Sequence, residues 1–145
     1  MINYEWKPNV CFGPFIFGDN ISRYIKKYNL KLDDDDSKGI TGWVSYQVPE
    51  TEVYISEREG HIIAAASYDQ CNYKGKNLLD LTLNQLAILL EYKDYEIEAS
   101  VEYDNGEVHT PVVFFHLGLT AWFVKNHKLK EEVVLYISVI ADTDD

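Results

Sequence analysis

The chain has 145 residues, 46% of them hydrophobic and 14% aromatic, and a formal net charge of −11. That length and apolar content suit one folded domain with a real core, and they exclude a disordered acidic tail. The charge disfavours nucleic acid and anionic membrane surfaces as direct partners, because both repel it, and favours a cationic protein.

The opening Met1-Ile2-Asn3-Tyr4-Glu5-Trp6 has neither the basic nor the apolar region of a secretory signal. No apolar run approaches the roughly 18–20 residues that span a bilayer. The expected location is therefore the cytosol, where Cys11 and Cys71, far apart in sequence, are expected as free thiols.

In chain order, Val10 to Gly18 is an apolar stretch punctuated by Gly13, Pro14 and Gly18, which predicts a short edge strand or extended arm. Asp19 or Asn20 then offers a helix N-cap. Ile21, Tyr24, Ile25 and Tyr28 fall at helical spacing, giving about two turns, and Asn29 can close them in the left-handed conformation. The run Lys31 to Gly39, with Asp33-Asp34-Asp35-Asp36, has no periodicity and reads as a loop.

Three strands follow, Gly42–Val48, Glu52–Ser56 and His61–Tyr68, turning at Pro49-Glu50-Thr51 and Glu59-Gly60 as an antiparallel meander. Beyond a polar loop through Asn72–Asn77, Thr82-Leu83-Asn84-Gln85 has the form of a capping box, with Leu81 and Leu86 as its staple. The helix behind it runs through Leu86, Leu89 and Leu90 and ends near Tyr92.

Between Glu91 and Glu107 stand seven carboxylates against the single Lys93. Here Tyr95, Ile97, Ala99, Val101 and Tyr103 alternate with Glu96, Glu98, Ser100 and Glu102, the period of a half-buried strand. The apolar parity is expected to face a core, and the three glutamates to line the wet face. Asp104-Asn105-Gly106 is a hairpin signal. Strands Val108–Leu117, Leu119–Asn126 and Glu131–Ala141 complete the chain, with Pro111 marking a bulge or edge position. Residues 13–68 and 75–141 both read as a helix followed by antiparallel strands. The fold expected is α+β in a single domain, 1–145, with that internal repeat.

The chemical motifs are few. His61, His109, His116 and His127 have no Cys, Asp or Glu at zinc-site spacing, and His109 and His116 differ by an odd number, so a regular strand points them apart. There is no nucleophile elbow, phosphate loop or dinucleotide fingerprint. Asp33–Asp36 lacks the alternation and the following bidentate Glu of a calcium loop, so a solvated acidic loop is expected. No catalytic residue, metal or cofactor is assigned.

In size, acidity and richness in aromatics, the chain resembles the bacterial immunity proteins that neutralise toxins of contact-dependent growth inhibition and related polymorphic toxin systems. The resemblance implies binding of a cognate basic toxin domain, such as a nuclease, whose substrate cleft an acidic surface can occupy. The residues expected to make that surface are Glu96, Glu98, Glu102 and Asp104, then Asp33, Asp34, Asp35 and Asp36, with Tyr46 and Tyr103 as aromatic anchors among the carboxylates. A generic acidic interaction module or nucleic-acid mimic is the second reading, and a small-molecule binder or enzyme the third.

Overall fold

The computed structural model describes residues 2–33, 42–91, 94–125 and 131–141. Its N-terminal strands β1 (Trp6–Lys7), β2 (Cys11–Phe12) and β3 (Phe15–Ile16) form a small antiparallel sheet. The stretch expected as an edge strand or arm is thus a folded unit of its own. Trp6, Phe12 and Phe15 are all but completely buried, which anchors this unit in the core of the molecule.

Helix α1 (Ser22–Tyr28) follows, and Asn29 closes it at φ 55° and ψ 43°, the left-handed geometry its side chain tolerates. At the other end the cap position is Ile21, which has no side-chain cap bond, rather than the expected Asp19 or Asn20; Asn20 Oδ1 accepts only from the N–H of the first helical residue, Ser22, at 2.9 Å. Then come β4 (Lys31–Leu32), β5 (Val44–Gln47), β6 (Val53–Arg58) and β7 (His61–Ser67), the predicted meander with one further strand before it. The polar loop after β7 is itself a hairpin, β8 (Asn72–Tyr73) with β9 (Lys76–Asn77).

Helix α2 (Leu83–Leu90) opens on the predicted capping box. The Gln85 N–H donates to Thr82 Oγ1 while Gln85 Oε1 accepts from the Thr82 N–H. Glu91 closes α2 at φ 58°, a second left-handed cap. The remaining strands are β10 (Glu96–Ile97), β11 (Val101–Glu102), β12 (Val108–Phe114), β13 (Leu119–Lys125) and β14 (Val133–Ile140).

The large sheet runs β10-β12-β13-β14-β7-β6-β5-β4, with β11 also on β12. The topology therefore repeats about the antiparallel β14–β7 pair. On each side a short helix leads to an outermost strand, and three strands return from that edge to the centre. The fold is α+β, and the acidic segments, at Asp33 and at Glu96–Asp104, follow or form the outermost strands of the two halves.

Register divides the sheet into two faces. Val53, Ile55, Ala65, Ile137, Val139, Ala121, Phe123, Leu119, Phe114 and Val112 share one, and all are buried in the core with α1 residue Tyr24 and α2 residues Leu86 and Leu90. Both helices lie on this inner face. The opposite, outer face carries no helix among the described residues.

Candidate functional site

The acidic segment is the sheet's edge, but it is not one regular strand. Ile97 pairs with Val112, and the next pairing, Val101 with His109, advances four residues on the acidic side against three on β12. The extra residue is a bulge at 98–100. Pro111 explains its place: its carbonyl accepts from the Glu98 N–H at 2.9 Å, so the N–H that proline lacks is on the same, acidic side. A ladder bond cannot form there, and the strand steps over the gap.

One inserted residue inverts the parity. Glu96 is level with Val113 on the outer face, whereas Glu102 is level with Val108 on the inner face. The three glutamates therefore do not line one face as expected. The apolar parity is not core either. Ile97 is 57% exposed, Val101 45% and Tyr103 48%, and Ala99 is exposed. Only Tyr95 meets the core, its ring 5.2 Å from that of Phe114. Glu96, Glu98, Glu102 and Asp104 are all exposed, and among the described residues no Lys or Arg forms an ion pair with them.

Two other expected residues part company. Tyr46 is paired with Ile55 and packs against the core on the inner face, so it is no neighbour of Tyr103. Tyr103 folds back over His109, ring centroids 4.4 Å apart, and His109 Nε2 is 3.3 Å from Glu107 Oε1. The turn that places it is the predicted one, with the Tyr103 N–H donating to the Glu107 carbonyl at 2.8 Å. His116 lies in the turn after β12, beyond the strand it was expected to share with His109. Asp33 stands at the end of β4, its N–H donating to the Ser45 carbonyl, while Asp34, Asp35, Asp36, Tyr92, His127 and the 142–145 tail lie outside the described residues.

What the sequence did not disclose is the row of rings on the outer face. Trp122 pairs across the ladder with Tyr136, the rings 5.4 Å apart and within 9° of parallel. Continuing the β14–β7 register by one residue sets Tyr68 beside Tyr136 on its other side, at 4.6 Å and 22°. Next to this three-ring stack the same face holds Ala64, Ala66, Ser56, Ser138 and Thr120, a floor of small side chains.

Electrostatics ties the ring row to both acidic segments. Burial, then the Glu52, Asp33, Tyr68 and Asp69 side chains, push the Tyr54 hydroxyl above the ordinary tyrosine range. Burial, then Tyr68 and Tyr103, raise Tyr136, and burial, then Glu52 and Tyr103, raise Tyr68. So Asp33 stands near one end of the row and Tyr103 near the other.

A separate groove of about 250 Å³ lies along α2, lined by Lys76, Leu81, Gln85, Ile88 and Leu89. Its lining offers no acid–base pair. Among the described residues no three His, Cys, Asp or Glu side chains are grouped to hold a metal ion, and no helix is long and apolar enough to cross a membrane. Cys11 and Cys71 are free thiols. No family model, curated protein or solved structure matches the chain.

Proposed function

We propose that this chain is an inhibitor of the immunity-protein type, which binds a basic toxin domain through its acidic, aromatic-containing surface. The observation that carries the reading is the edge strand: Glu96, Glu98, Glu102 and Asp104 stand in solvent without an intramolecular cation among the described residues, beside an exposed Ile97, Val101 and Tyr103. Uncompensated like charge on neighbouring residues costs stability, and a cationic partner reverses that cost.

An acidic edge also discourages edge-to-edge aggregation, which is its structural use in many sheets. That use does not call for exposed apolar side chains in the same strand, and these add the desolvated contacts that slow dissociation. Complementary charge raises association rates to about 10⁸–10⁹ M⁻¹s⁻¹ at low salt, the regime a toxin inhibitor requires. Changing Glu96, Glu98 and Glu102 together to lysine is expected to preserve the fold and to weaken toxin binding by orders of magnitude. Retention of affinity by the triple variant, measured at low and high salt, would sink the reading.

A further inference from the structure

We infer that the outer face of the large sheet, centred on the Tyr68–Tyr136–Trp122 ring stack, is the anchoring half of that binding surface, and that it takes an arginine- or lysine-bearing protein segment. The inference rests on the basic-partner reading and extends it from the edge strand to a face.

The face is suited to a partner by shape and by chemistry. Three rings standing side by side at 4.6 and 5.4 Å make a ridge, with alanine, serine and threonine side chains beside it on the same face. The row from Tyr54 on β6 to His109 on β12 crosses five strands, roughly 20 Å at the usual strand spacing. Cross-strand ring pairs stabilise any sheet, which accounts for Trp122 against Tyr136. Such pairing serves Tyr68 against Tyr136 as well, yet leaves Tyr68 44% exposed at the outer end of the stack, an aromatic surface in solvent.

The charges choose the occupant. Carboxylates bracket the row, Glu52, Asp33 and Asp69 about Tyr54 at one end, Glu107 on His109 and Glu96 on β10 at the other. The register also places Lys31 and Arg58 on this face, each at its margin. Ring faces and phenol oxygens flanked by carboxylates attract guanidinium and ammonium groups, arginine best because it also stacks. The chain's own cation–π contacts among the described residues, Lys27 over Tyr28 and Lys74 over Tyr73, lie elsewhere and leave the exposed Tyr68 end of the stack to a partner. A second copy would set these carboxylates against themselves at a net charge of −11 each, and nucleic acid would be repelled.

The test is a titration of the full chain with a hexa-arginine peptide, followed by aromatic and amide NMR at low salt. Saturable shifts are expected at Tyr68, Tyr136, the Trp122 indole N–H and His109. Tyr68→Leu, which keeps apolar bulk and removes the ring, should weaken peptide binding at least fivefold. Trp122→Leu serves as the second variant should Tyr68→Leu fail to fold. Shifts confined to Glu96–Asp104, with the ring signals unmoved, would overturn this inference and leave the basic-partner reading standing. Absence of saturable shifts anywhere would overturn both. Ring signals that move with protein concentration before peptide is added would mark a self-association face and also overturn it.

Discussion

Gly118→Ala tests the β12–β13–β14 packing on which both surfaces depend. Gly118 sits at φ +67° in the turn between β12 and β13, and a Cβ there would collide with the carbonyl oxygen of Ile140. Left-handed backbone costs a residue with a Cβ about 1 kcal/mol or more. Relieving the clash requires a backbone shift of about 1 Å, since ordinary contact begins near 3.4 Å. That shift strains the hydrogen bond from the Ile140 N–H to the Gly118 carbonyl, 2.8 Å long, which contributes about 1 kcal/mol. With lost packing at the end of β14, the total comes to about 3–4 kcal/mol, or on the order of 10 °C in Tm for a domain of this size. Gly106→Ala is the matched control: its φ is +86°, but nothing lies within 4 Å of the added Cβ, so only the backbone term of about 1 kcal/mol applies. Urea unfolding followed by circular dichroism separates the two. Equal losses for both variants would refute the close approach of β14 to this turn.

Two further outcomes follow from the same packing. Tyr4 is buried, and burial first, then Asp69 and Tyr28, hold its hydroxyl up at about 12, while Tyr24, Tyr46, Tyr54, Tyr68 and Tyr136 are raised as well, each chiefly by burial. A raised folded-state value favours the protonated fold fully below the unfolded value of 10, and that contribution is lost as pH climbs towards 12. The urea midpoint should therefore hold near pH 8–9 and fall steadily between about pH 10 and 12; a flat profile to pH 12 would contradict the burial of these rings. Thr82→Ala removes half of the α2 capping box and should cost about 1 kcal/mol, with Thr82→Ser restoring most of it in the same urea assay.

Local chemistry was legible in the sequence, and non-local register was not. The Thr82/Gln85 box, the Asn29 cap, the Glu59-Gly60 turn with both φ positive, and the Asp104-Asn105-Gly106 hairpin each depend on a few adjacent residues, and each stands where the sequence placed it. The glutamate row failed because a single bulge residue, invisible to a period-two pattern, inverts every side chain beyond it. Pro111 is the available signal, because the N–H it lacks faces the acidic strand opposite and marks where that strand must bulge. Tyr46 was misplaced for a related reason, since its closeness in sequence to acidic residues says nothing about which face it shares. The ring stack joins Tyr68, Trp122 and Tyr136 from three strands, and only the β7–β14–β13 order brings them together. The N-terminal sheet escaped notice because strands of two residues have no period to detect.

The central claim is that the acidic edge and the face beside it capture a basic toxin. Its most direct measurement is growth of cells induced to make a candidate basic toxin domain, with and without this chain. The account predicts arrest with the toxin alone, rescue by the native chain, and loss of rescue by Glu96→Lys/Glu98→Lys/Glu102→Lys produced at the same level. Full rescue by the triple variant, or continued arrest in the presence of the native chain, would contradict it.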